Sequence, residues 1–206
     1  MSLFSTAERA QVKDAIAAVE AGTSGEIVAV IAPAADDYWD FSLAWAIVAA
    51  LMVPAAALLW WPHTAALTIY EIQMEIFIAV LALTRIRALR MLIVPRRTQS
   101  AYAQRLARAQ FFTQGLHRTR ERSGILIFVS AAEHYVEILA DDGIAQKVKA
   151  EEWTAVIEAF VAEVRARRFA DGMLATVRAC GAKLAHYFPR PPDDRNELSN
   201  RLVELP

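Results

Sequence analysis

The chain has 206 residues, 56% of them hydrophobic, with a formal charge of -1 and a mean hydropathy of +0.27. That near-neutral balance excludes the strongly basic footprint of a nucleic-acid-binding domain. The single cysteine, Cys180, excludes an intrachain disulfide and a cysteine-based metal cluster, which fits a reducing compartment.

The opening residues carry Glu8 and Arg9 and no apolar core, so no cleavable signal peptide is expected. Ser5-Thr6-Ala7-Glu8 has the spacing of an N-capping box, and Val12, Ile16 and Val19 recur at helical intervals as far as Gly22. This predicts a first helix. Glu26 to Ile31 is rich in β-branched residues and bounded by Gly25 and Pro33, the pattern of a strand buried on both faces.

Two apolar stretches follow. Phe41 to Trp61 contains no charged residue and has the roughly 20-residue length needed to cross a hydrocarbon core. The second, from about Thr64 to Leu83, returns after the short connection Trp61-Pro62-His63-Thr64. Together they predict a transmembrane hairpin. Arg85, Arg87, Arg90, Arg96 and Arg97 then mark the exit side, with no acidic residue between Glu75 and Glu121. By the positive-inside rule this side is cytoplasmic, and an even number of spans returns the N-terminal segment to it. The same arginines fit attraction to anionic lipid head groups.

After the hairpin, Thr98 to Arg122 alternates charged and apolar faces through Leu106, Phe111, Phe112 and Leu116, predicting a helix. Ile125 to Val129 and Tyr135 to Leu139 predict two strands, and their short link predicts antiparallel pairing. Asp141-Asp142-Gly143 has turn composition. Glu151 to Phe169 and Asp171 to Phe188 predict two amphipathic helices covering the sheet. Four prolines between Pro189 and Pro206 predict an extended, weakly ordered tail.

Ser123 to Ser130 (Ser-Gly-Ile-Leu-Ile-Phe-Val-Ser), His134 to Ile144 (His-Tyr-Val-Glu-Ile-Leu-Ala-Asp-Asp-Gly-Ile) and Thr23 to Val30 resemble segments of the TPM domain family. Phe169-Ala170-Asp171-Gly172 before an apolar helix resembles the family's ending without its Tyr. Ala140-Asp141-Asp142-Gly143 keeps only the second glycine of a family doublet. The resemblance implies a Rossmann-like mixed-sheet α/β sandwich. It implies weak phosphatase activity and calcium binding in some members, and assembly or repair roles in others. The expected organisation is one split α/β domain from residues 1–37 and 98–188, a transmembrane hairpin with its basic juxtamembrane segment at 41–94, and the tail at 189–206.

No phosphate-binding loop, dinucleotide fingerprint, nucleophile elbow or paired-histidine zinc motif occurs, so no catalytic or cofactor-binding residue is assigned. His63, His117, His134 and His186 lack ligand spacing, and Cys180 lies among apolar neighbours at helical spacing. Asp36 and Asp37 follow the first strand and Glu133 follows the second. If the strands are parallel, these carboxylates share one sheet end and form a candidate calcium or magnesium site; the other reading makes the aspartates solvated linker residues.

Glu71 and Glu75 lie four apart inside the second apolar stretch. One reading is a proton or cation site, which a single hairpin could form only by oligomerising. The other moves the span toward Ile72 to Val94, with Glu71 near the outer surface and Glu75 protonated or facing the partner helix. The expected function is an adaptor, assembly or quality-control factor for another membrane protein, anchored in a bacterial-type inner membrane with both termini cytoplasmic. Its expected partners are the lipid bilayer, an unidentified membrane protein and a second copy of the chain, with no nucleic acid. The alternative is a weak metal-dependent phosphatase.

Overall fold

The computed structural model describes residues 4–191, 198 and 202–206, and the remainder of the expected tail lies outside that set. The chain divides into two compact units, Met1–Ala35 with Tyr102–Pro206, and Asp36–Ala101.

In the first unit, helix α1 (Thr6–Glu20) opens on the expected capping box: Ser5 Oγ accepts the Glu8 N–H while the Glu8 carboxylate accepts the Ser5 N–H. Strand β1 (Glu26–Ala32) runs parallel to β2 (Gly124–Ser130), with Glu26 opposite Gly124 and Ala32 opposite Ser130. Strand β3 (Tyr135–Ala140) is antiparallel to β2. A parallel pair cannot be closed by a tight turn and needs a crossover connection. The apolar hairpin lies within that crossover, where the chain must leave the sheet in any case.

The tail departs from expectation. Leu202–Glu204 forms strand β4, which lies parallel to β1 and gives the sheet order β3-β2-β1-β4 among the described residues. Without it one edge of β1 would present unpaired backbone groups. Beyond it, the Leu205 N–H donates to the Ile31 carbonyl at 2.8 Å.

Alternation along β1 and β2 feeds two cores, which explains their continuous apolar sequence. Ile27, Ala29, Ile31, Ile125, Ile127 and Val129 face α1, α7 (Ala150–Arg165) and α8 (Phe169–Tyr187), meeting Ile16, Phe160, Met173 and Val177. Val28, Val30, Leu126 and Phe128 belong to the second core with Ala103, Ala107 and Phe111 from α5 (Arg96–Thr113). Helix α5 ends earlier than its periodicity predicts. Gly115 takes a left-handed conformation at φ 79°, which glycine adopts without steric cost, and a 3-10 turn follows at Leu116–Arg118. The expected turn at Asp141 is the cap of a short helix, α6 (Asp142–Ala145): Asp141 Oδ1 accepts the Asp142 N–H at 2.8 Å.

The second unit contains α2 (Trp39–Trp60), α3 (Ala66–Leu83) and α4 (Arg87–Ile93). Helices α2 and α3 pack together. The buried positions of α2 are Ser42, Ala46, Ala50 and Ala57, small residues that let neighbouring helices approach closely. At the far end of this unit, the side chain of Gln99 donates to the carbonyls of Met91 and Val94, both at 2.9 Å, fastening the end of α4.

Candidate functional site

The carboxyl ends of β1 and β2 are joined by a buried polar clamp. Ser130, fully buried, donates its hydroxyl to Glu133 Oε2, and Glu133 Oε1 accepts the Ala35 N–H at 3.1 Å. The Ala131 N–H donates to the Ala32 carbonyl at 2.9 Å and the Ala132 N–H to that of Pro33 at 3.1 Å. His134 closes the turn into β3 at φ 50°. The Ser130–Glu133 pairing was not legible in sequence; its one signal was a serine three positions before an acid at a strand end.

The other acids proposed as metal ligands also have local work. Asp36 Oδ1 accepts the Tyr38 N–H at 2.8 Å and Asp37 Oδ1 accepts the Trp39 N–H at 3.2 Å, two successive Asx turns leading into α2. Among the described residues, no group of three or more His, Cys, Asp or Glu side chains is arranged to hold a metal ion. Asp141 and Asp142 lie at the opposite end of β2, as its antiparallel pairing with β3 requires. Both contact Arg122 Nη2, at 3.0 Å and 2.8 Å.

Of the basic run, Arg85, Arg87, Arg96 and Arg97 are exposed and Arg90 is half-buried. The Arg85 guanidinium sits over the Trp39 ring, 5.3 Å from its centroid, at the end of the hairpin where α2 begins. Arg96 Nη1 donates to Gln99 Oε1 at 3.1 Å.

Helix α3 stops at Leu83, and Arg85 lies in the break before α4. A single helical span from Ile72 to Val94 is therefore not formed. No residue of α3 is buried, and Glu71 and Glu75 are both exposed, so neither packs inside the hairpin. Leu58, Leu59, Leu67 and Ile78 are more than 60% exposed, unlike the core helices of the first unit.

Glu20 and Cys180 are also strongly perturbed. Burial is the main cause that raises the Glu20 carboxyl to about 8, with a smaller contribution from the charge of Glu26. The Ile27 N–H, donated to Glu20 Oε1 at 2.9 Å, opposes that rise. Cys180 is fully buried and its thiol is pushed up to about 12, which removes the thiolate needed for nucleophilic chemistry. A cavity of about 460 Å³ is lined mainly by apolar side chains such as Val129, Val136, Phe160 and Phe169, with Ser130, His134, Tyr135 and Arg165 as its polar and charged members.

The fold is a mixed α/β sandwich whose parallel crossover contains an apolar helical hairpin, with a buried polar clamp at the strand ends. A family model described as the TPM domain matches residues 71–183, and the chain belongs to the TPM domain family. The match covers β2, β3, α7 and most of α8. The protein is similar to the BA42 protein from the psychrophilic bacterium Bizionia argentinensis, solved by NMR. The TM-score is 0.61 at 19% identity, over 98% of this chain and 96% of that one, a likeness of fold. No curated protein sequence matches the chain.

Proposed function

We propose that this protein is a membrane-anchored TPM-domain adaptor that assists the assembly or quality control of another membrane protein. The observation that carries the reading is the place of the hairpin. Two helices long and apolar enough to cross a membrane lie between β1 and β2, strands that pair in parallel. Membrane attachment and folding of the domain are thereby coupled in one chain. The broad exposure of the hairpin's apolar side chains supports lipid as its surroundings.

In this reading the hairpin spans a bacterial-type inner membrane. The arginines lie on the cytoplasmic side with both termini, and Trp60 and Trp61 lie at the opposite interface. The domain then works at the membrane surface, and the exposed arginines add attraction to anionic lipid. Possession of the TPM fold supports a binding role as well as an enzymatic one, because a fold hosts many functions. The clamp supports the binding role: Glu133 is engaged by Ser130 and the Ala35 backbone.

The test is a topology and activity measurement on the full chain. Alkaline carbonate should leave the protein in the membrane pellet, and reporters fused at both termini should read cytoplasmic. Release by carbonate overturns the anchor. Calcium- or magnesium-dependent phosphatase turnover that falls in Asp36→Asn, Asp37→Asn and Glu133→Gln would replace the adaptor reading with the enzymatic one.

A further inference from the structure

Glu71 and Glu75 sit on one side of α3, four residues apart. Gln73, Ile76, Phe77 and Val80 are among the residues on the helix's half-buried side, while Glu71, Glu75, Ile78 and Ala82 are exposed. The depth of the two acids follows from the hairpin's ends. Arg85 stacked on Trp39 marks one end, and Trp60 and Trp61 mark the other. At 1.5 Å per residue α3 is about 27 Å long, and Glu75 lies about 13.5 Å from its first residue, midway along the helix and so at mid-depth if the hairpin spans the bilayer. Glu71 lies about 6 Å nearer the outer turn.

Carboxylates on a lipid-facing side of a span are costly and require a partner. The hairpin cannot supply one, because Trp39 to Leu83 contains no lysine or arginine. A second copy inserted in the same orientation brings its own Glu71 and Glu75 to the same depth and no cation. A helix of different sequence with a cation at that depth neutralises the pair.

We propose that the Glu71 and Glu75 face of α3 docks a transmembrane helix of another protein that carries lysine or arginine near mid-bilayer. This rests on the membrane-anchored reading above and specifies the chemistry of the partner. Charge complementarity sets the register, and the small side chain of Ala82 on the same face allows close helix approach.

The experiment uses the full chain reconstituted in neutral phosphatidylcholine vesicles with a labelled model helix of leucine and alanine, carrying two arginines four residues apart at its centre. A matched helix has leucine at those two positions. Carbonate-resistant retention in the vesicles is scored first, and its failure overturns the membrane reading itself. In retained protein, energy transfer should report binding of the arginine helix at least tenfold tighter than the leucine helix. The preference should fall several-fold in Glu75→Gln and vanish in the Glu71→Gln, Glu75→Gln double variant. Equal binding of the two helices, or a preference indifferent to these substitutions, overturns the proposal. Self-association of the wild-type chain that the glutamine variants abolish assigns the face to a second copy and also overturns it.

Discussion

The Glu133 carboxylate accepts the backbone N–H of Ala35 at 3.1 Å, joining positions 98 apart in sequence. Its second oxygen takes the Ser130 hydroxyl, so one side chain ties the exit of β1 to the turn that follows β2. Removing it leaves a buried hydroxyl and a backbone amide without this acceptor. Glu133→Ala should lower stability by about 2 to 4 kcal/mol, and Glu133→Gln, which retains one acceptor oxygen, by about 1 kcal/mol. Thermal unfolding of the full chain in detergent measures both. If Glu133 instead held calcium, millimolar calcium would raise the wild-type midpoint and leave that of Glu133→Gln unchanged.

Glu20 predicts a pH dependence. Its carboxyl is raised from 4.5 to about 8 in the folded protein, so the native state holds a proton that the unfolded chain has released. The stabilisation linked to this proton is complete below about pH 4.5 and is lost as pH rises toward 8. Glu20→Gln should remove most of this slope, because its amide oxygen can still accept the Ile27 N–H. At pH 8 the variant should be more stable than wild type by about 1 to 3 kcal/mol, a difference that narrows at pH 5. Unfolding midpoints across pH 5 to about 9 test this.

Gly181 brings α8 against α1. A Cβ there would run into the γ-carbons and Cβ of Val19. Gly181→Ala should destabilise the protein by about 1 to 3 kcal/mol through overpacking. Val19→Ala removes the obstructing methyl groups, so the double variant should be more stable than the sum of the two single effects predicts, by about 0.5 kcal/mol or more. Strict additivity would show that the two positions do not clash.

Cys180 should be chemically silent while the protein is folded. With the thiol fully buried and pushed up to about 12, a soluble thiol reagent at pH 8 should leave it unmodified. Complete modification should follow denaturation. Rapid labelling of the native chain would contradict this packing.

Much of the architecture is legible because it is written in short-range pattern. The Ser5 to Glu8 capping box sets the start of α1 through contacts three residues apart. The β-branched runs at Ile27 to Ile31 and Ile125 to Val129 read as buried strands because both of their faces meet a core. Strand β4 was missed because three residues after a proline-rich stretch carry almost no periodicity. Only the exposed edge of β1 makes a strand there favourable. The early end of α5 turned on Gly115, whose left-handed geometry outweighs the apolar repeat that continues to Leu116.

The candidate site shows the same division. The residue types alone made Asp36, Asp37 and Glu133 hard oxygen donors and placed Glu71 and Glu75 within an apolar span. Which partners those oxygens take depends on distances between segments remote in the chain, and composition does not encode them. Tertiary packing turned Glu133 toward Ala35 and Ser130, while the aspartates closed turns into α2. It also left Glu71 and Glu75 outside the packed side of the hairpin. By itself, the sequence determined the apolar lengths, the charge asymmetry and the local helical and strand periods, because each is a property of neighbouring residues. Only the tertiary structure decided that β1 and β2 meet across the hairpin and which face of α3 remains unpaired, because both depend on the relative placement of elements far apart in the chain.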